Sequence, residues 1–429
     1  MTRWPVGNDR RKVWSWALYD WANSAFATVV LVGFFPLLFR NYWSSGLADA
    51  DANLRLGWAN SLTSVIIILM APLVGAVADK AGLRKVFLAA FATLGVVATA
   101  LLARVPGGEW LPAAGLFVAA TVGFMGANLF YDALLTSVAP SGRWHRVSAF
   151  GFALGYLGGG LLFLGCALAA MQPQRFGFGD PTEAALAGIT ATAIWWAVFA
   201  LPLFRYVPEP PHTGERGWRA LGQGWRQLRG TVTHLGRYRP ILVFLIAYWL
   251  YIDGVHTVMR MAVAYGDSIG FEHSDLITAL LVVQFVGFPA AIAYGYLGDR
   301  FGPRRGIYLG LGVYTGICGW GFFVDSVWEF YAIAVLVGLV QGGVQSLSRS
   351  FYARLIPPAE SGEFFGFYNL LGKFATLIGP PLFGLFGYWF GDERYSIVSL
   401  ILLFVAGGTV LGFVREQRSP GVAGGATAY

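Results

Sequence analysis

The sequence predicts an all-α membrane protein, with twelve transmembrane helices in two pseudo-symmetric six-helix bundles. Three observations carry that expectation. Apolar runs of about 20 residues, the length that crosses a bilayer core as a helix, recur twelve times along the 429-residue chain. A polar turn motif occurs twice, 220 residues apart. Lys and Arg gather on alternate loops, as they do in membrane proteins with a cytoplasmic side.

The apolar runs cover residues 14–38, 57–79, 86–104, 111–137, 147–171, 185–207, 241–265, 275–298, 306–324, 328–355, 363–388 and 395–414. Hydrophobic residues make up 56% of the chain and charged residues only 12%, against about 25% charged in a soluble domain. Mean hydropathy is +0.58. A soluble globule, a disordered chain and a secreted disulfide scaffold are excluded on these grounds. Cys166 and Cys318 both lie inside apolar runs and read as packing residues. Glycine-rich stretches such as 155–160 suit membrane helices that approach closely. The first run follows Arg10-Arg11-Lys12 and carries Asp20 and Asn23, with no clear cleavage site. It reads as an uncleaved span rather than a signal peptide.

Loops are short except between runs six and seven, which divides the chain into bundles 1–207 and 241–429 joined by a linker, 208–240. The linker opens with Pro208-Glu209-Pro210-Pro211. Trp218, Leu221, Trp225 and Leu228 then recur at helical spacing among Arg219, Arg226 and Arg229. That pattern is a basic amphipathic helix suited to a membrane surface. With the N-terminus cytoplasmic, the N-tail, the even-numbered loops and the C-tail hold 20 of the 30 basic residues. An even span count puts both termini in the cytoplasm. The net charge of +7 therefore tracks membrane sidedness, and no nucleic-acid partner is expected.

The turn after run two reads Gly75-Ala-Val-Ala-Asp79-Lys80-Ala-Gly82-Leu-Arg84-Lys85. The turn after run eight reads Gly295-Tyr-Leu-Gly-Asp299-Arg300-Phe-Gly302-Pro-Arg304-Arg305. Duplication of a six-span half explains the match. The glycines permit a tight turn and close helix contact. Each aspartate sits where it can meet the orphan N–H groups of a neighbouring helix end. Shorter echoes fall in equivalent runs: Trp16-Ala-Leu-Tyr-Asp20 with Trp249-Leu-Tyr-Ile-Asp253, and Phe150-Gly151-Phe152 with Phe365-Gly366-Phe367.

Together the doubled motif, the six-plus-six layout and the long central loop resemble the major facilitator superfamily over nearly the whole chain. The resemblance implies two bundles around a central cavity, working by alternating access. It also implies a gating role for Gly75, Asp79, Gly82 and Arg84, and for Gly295, Asp299, Gly302 and Arg304. Tyr19-Asp20-Trp21-Ala22-Asn23-Ser24-Ala25-Phe26, followed by Phe34-Phe35-Pro36, resembles the vacuole-effluxer family. Its fungal members are vacuolar amino-acid exporters linked to autophagy. Drug–proton antiporters of the superfamily carry an Arg in span four and Gly-Pro in span five. Span four here has Gly126, Asn128, Tyr131 and Asp132 instead, and Gly379-Pro380-Pro381 falls in span eleven.

Ionisable residues at bilayer depth cost about 2.5–3.5 kcal/mol on insertion scales, so they face a partner or a wet cavity. Asp20 early in span one and Asp132 late in span four fall at similar depth. Two nearby carboxylates repel, and one retained proton would make a coupling site. Asp253, His256 and Arg260 share one face of span seven. Arg349 occupies in span ten roughly the place of Asp132 in span four, with Gln341, Gln345 and Ser348 before it on about the same face. Either a salt bridge from Asp253 to His256 or Arg349, or a polar binding wall, would account for this group. Lys373 lies near mid-membrane in span eleven, with Asn369 on its face. Substrate or coupling candidates are thus Asp20, Asn23, Asp132, Asp253, His256, Arg260, Gln345, Arg349 and Lys373. If Lys373 or Arg260 meets a carboxylate and Asp20 or Asn23 an amine, a zwitterion fits. The competing arrangement has the two walls neutralise each other as gate salt bridges.

Function follows as a secondary active transporter of a small polar solute, an amino acid or similar metabolite, with proton-coupled efflux as one mode. A non-transporting receptor or scaffold on this fold, or a proton-coupled drug exporter, are the alternatives. A membrane-embedded enzyme lacks its motifs: there is no H-E-x-x-H, no G-x-S-x-G and no Walker lysine loop. No catalytic residues, metal site or cofactor are expected. The expected partners are the solute, the lipid bilayer and protons, for a monomer in a bacterial inner membrane.

Overall fold

The computed structural model describes residues 8–47, 49–209, 226, 229–230, 238–268, 270–374, 378–390 and 394–414. Of the basic linker helix, only isolated residues fall in this set, and the rest of it lies outside the described residues. Among the described residues all regular structure is helical. The long elements are α1 (Asp9–Trp43), α2 (Asp49–Ala81), α3 (Arg84–Leu102), α4 (Trp110–Val138), α5 (Trp144–Met171) and α6 (Pro181–Tyr206). The second half holds α7 (Arg239–Ser268), α8 (His273–Phe301), α9 (Pro303–Gly321) and α10 (Val327–Leu355). It ends with α11 (Ser361–Phe374), α12 (Gly379–Phe390), α13 (Arg394–Ser399) and α14 (Ile401–Gly412).

Ten described stretches are long and apolar enough to cross a membrane. Two of the twelve predicted spans differ. The ninth, α9, is a 19-residue helix diluted by six glycines. The eleventh is divided between α11 and α12 by three residues outside the described set. Large apolar side chains point outward, with Leu69 73% and Trp328 79% exposed, as lipid-facing surfaces require. The first span is longer than predicted and is not uniform. Wide π turns over Phe26–Phe34 and Phe39–Trp43 flank Phe35–Leu38. Pro36 there has no N–H to give, and its ring crowds the carbonyl one turn back. The wide turns accommodate it.

Helix ends follow local chemistry. Asp180 caps α6 by accepting from the Glu183 amide at 2.8 Å, and Ser326 with Glu329 forms a capping box on α10. The two motif turns reverse through Gly82 at φ 63° and Gly302 at φ 84°, a region that favours glycine. The halves meet along two related crossings: α2 against α11, and α5 against α8 and α10. Motif glycines make those crossings close. A Cβ on Gly75 would collide with the Gly362 carbonyl of α11, and one on Gly295 would lie 2.7 Å from the Ala149 Cβ of α5.

Candidate functional site

Both halves contribute to one charged cluster. Asp132 and Arg349 each lie six residues before the end of their helix, α4 and α10. Those positions are related by the duplication and meet between the halves. Arg349 Nη1 donates to Asp132 Oδ1 at 3.0 Å and lies 3.6 Å from Asp20 Oδ2 of α1. Its Nε donates to Ser148 Oγ and its Nη2 to the Ser148 carbonyl of α5, both at 2.8 Å. The Tyr131 hydroxyl donates to Asp20 at 2.9 Å, and Asn369 of α11 donates to Asp132 at 3.3 Å. The rings of Phe152, Trp16 and Tyr131 lie 4.3, 5.0 and 5.4 Å from the guanidinium carbon. Asp20, Asp132 and Arg349 are 8%, 7% and 3% exposed. Gly151 makes room: a Cβ there would sit 2.7 Å from the Tyr131 hydroxyl and 3.0 Å from Asp20 Oδ2.

This arrangement corrects two expectations. Asp20 and Asp132 share Arg349 rather than facing each other alone. Arg349 does not pair with Asp253. Instead Asp253, fully buried on α7, accepts from the amides of Ile378 at 3.0 Å and Gly379 at 3.0 and 3.1 Å. It holds the orphan N–H groups at the start of α12. A Cβ on Gly379 would collide with Thr257 Oγ1, so only glycine fits that approach. Asp253 thus holds a helix start, where Asp20 meets the Tyr131 hydroxyl and the Arg349 guanidinium. His256 is half-buried one turn further along α7, and Gln345 is half-buried one turn before Arg349. Arg260 lies on α7 and Lys373 on α11, but their side chains fall outside the described residues. Asn23 donates to Asn128, tying α1 to α4.

At the motif end, Asp79 accepts from the amides of Gly362 at 3.0 Å and Glu363 at 2.8 Å, at the start of α11. Arg84 Nε donates to Asp79 at 2.5 Å, and its Nη2 donates to the Pro358 and Ala359 carbonyls at 3.3 and 3.0 Å. Asp299 pairs with Arg146 of α5. Beside that pair, His145 Nε2 accepts from Arg354 at 3.2 Å, which leaves Nδ1 to donate to Ser350 Oγ at 2.7 Å. Glu209 accepts from the Lys85 amide at 3.0 Å, tying the first residues of the linker to the motif turn. Burial pushes its carboxyl above the ordinary glutamate range.

The sequence reading missed Ser148, Arg146 and His145, because their roles depend on which helix lies opposite. It also passed over Gln284, an uncharged polar residue inside an otherwise apolar run. Like a charged residue at bilayer depth, such a side chain needs a partner or a wet cavity.

Similarity to solved structures fits this geometry. The human organic anion transporter MFSD10 (TETRAN) superposes with a TM-score of 0.71 at 17% identity, covering 95% of this chain and 100% of that one. The proton:xylose symporter XylE, of the major facilitator superfamily, superposes with a TM-score of 0.72 at 13% identity, covering 95% of each chain. The fold is that of these two transporters, and ten described stretches are long and apolar enough to cross a membrane. The family described as "Vacuole effluxer Atg22 like" matches residues 57–423, and the chain belongs to that family. The uncharacterized MFS-type transporter YxiO of Bacillus subtilis (strain 168) is 37% identical over 416 residues, covering 95% of this chain and 96% of the relative. Autophagy-related protein 22-1 of Penicillium rubens is 27% identical over 285 residues, 61% of this chain. That match spans about half (47%) of the fungal protein's length.

Proposed function

We propose that this chain moves a small polar solute, an amino acid or similar metabolite, in exchange for protons, by alternating access. The carrying observation is the buried cluster in which Arg349 of one half is held by Asp132 and Asp20 of the other. Two carboxylates share one guanidinium, so the fully ionised cluster has one excess negative charge in water-poor surroundings. A proton on either carboxylate balances it and weakens the hold across the halves. Proton arrival and opening of the motif end are thereby the same event. The resemblance of the first span to vacuolar amino-acid exporters supports an amino acid as the solute. The distribution of basic residues supports a cytoplasmic motif end, with both termini inside, in a bacterial plasma membrane.

Purified protein in proteoliposomes tests this reading. An imposed pH gradient should drive flux of labelled amino acids, and a protonophore should abolish it. Arg349→Gln should uncouple flux from the gradient. Flux indifferent to the gradient would remove the coupling role of the cluster. Tight ligand binding with no flux would favour a receptor instead.

A further inference from the structure

Thr28 on α1, Tyr156 on α5, Gln284 on α8 and Gln341 on α10 form a neutral ring deeper in the molecule than the charged cluster. At 1.5 Å per residue, Tyr156, Gln284 and Gln341 lie about 18, 25 and 21 Å from the motif-side ends of their helices. Those helices have 28 or 29 residues, so all three positions are near their middles. Gln284 Nε2 donates to Thr28 Oγ1 at 2.9 Å, across the halves. Tyr156 likewise faces α10 across the halves, packed against Gly342 beside Gln341. Glycines bring the ring together: a Cβ on Gly342 would lie 2.6 Å from the Tyr156 ring, and one on Gly159 would lie 2.7 Å from Thr28 Oγ1.

One atom of this ring is unmatched. Gln341 is 3% exposed, yet its Oε1 has no hydrogen-bond donor among the described residues. Burying an amide oxygen without a donor is unfavourable, and a methionine would fill the same volume without that cost. Thr28 and Gln284, by contrast, are half-buried.

We propose that Gln341 Oε1 accepts a hydrogen bond from an uncharged N–H or O–H group of the transported solute, making Gln341 a specificity-determining residue. The ring then selects solutes bearing a carboxamide or hydroxyl over hydrocarbon isosteres, since a site built to bond a donor rejects an analogue that lacks one. This rests on the reading of the chain as a transporter of small polar solutes.

The test compares labelled L-glutamine with L-homoleucine, its hydrocarbon isostere, using the full chain in proteoliposomes. Wild type should prefer L-glutamine, and Gln341→Met should lower its kcat/KM roughly tenfold while leaving L-homoleucine flux nearly unchanged. Retained L-homoleucine flux also reports that the variant is folded. Tyr156→Phe, which keeps the aromatic ring and removes only the hydroxyl, should lower the preference by less. An unchanged preference in Gln341→Met, or equal loss of both fluxes, would overturn the assignment while leaving transport standing. Movement of neither amino acid by wild type would overturn the amino-acid reading and the assignment with it.

Discussion

The two copies of the turn motif share their residues but not their contacts. In the first copy, Asp79 reaches across to the other half and caps α11, and Arg84 follows it to the Pro358 and Ala359 carbonyls. In the second, Asp299 finds a side chain, Arg146, rather than a helix end. The cause is where the opposing helix begins. Aligned on Phe150-Gly151-Phe152 and Phe365-Gly366-Phe367, α11 starts at Ser361 where α5 is already helical, because α5 starts at Trp144. Asp79 therefore meets free amides, whereas the equivalent amides of α5 are already used within the helix. Arg304 also departs from Arg84. It turns back to the Gly412 and Val414 carbonyls at the end of its own half. Lys85 does the same job in the first half, on the Phe204 and Val207 carbonyls. A duplicated motif has thus become one buried lock and one shallower ion pair.

Substitutions should separate the copies. The largest effect is expected from Asp79→Ala, which leaves Arg84, 4% exposed, buried without its counter-charge. Removing one partner of a buried pair costs about 3–5 kcal/mol. Thermal unfolding in detergent should show a large drop in Tm, and proteoliposome flux should fall strongly. Gly75→Ala should come next, at about 1–3 kcal/mol, because its Cβ meets backbone of α11. Cysteine accessibility at the motif end should rise in that variant. Asp299→Asn should cost about 1 kcal/mol or less, since the Arg146 side chain is 25% exposed. Flux should be reduced less than in Asp79→Asn; equal reduction would end the distinction between the copies. Arg304→Ala and Lys85→Ala should be the mildest, each at about 0.3–1 kcal/mol for a cation at a helix C-terminus. Matching small Tm shifts would support their shared role.

Much of this was legible in the sequence, for reasons that also explain the rest. Spans and motif turns are local signals, carried by runs of apolar residues and by Gly82 and Gly302. The partners of Asp79 are not local: they lie 283 and 284 residues away and depend on how α2 crosses α11. Asp253 was expected to meet His256 or Arg349, whereas the Ile378 and Gly379 amides it holds lie 125 and 126 residues away. The missed clue was Gly379-Pro380-Pro381, since proline is favoured in the first turn of a helix and so marks a fresh start. Arg349 was nearly legible. Opposite charges at duplicated positions near the inter-half axis, Asp132 and Arg349, are placed to meet. The side chains of Arg260 and Lys373 fall outside the described residues, and the zwitterion field drawn from them is an expectation.

The central claim is that the charged cluster holds the motif end shut and that a proton releases it. Spin labels at Gly142 and Arg305, both exposed at that end and on opposite halves, would report the opening by pulsed electron resonance. Cys166 and Cys318, both buried, would be replaced by alanine first. The account requires one short distance population at high pH in wild type, and a second, longer population at low pH. Asp132→Asn, which mimics the protonated carboxylate, should show the longer population at every pH. Identical distances in wild type and Asp132→Asn across the pH range would contradict it.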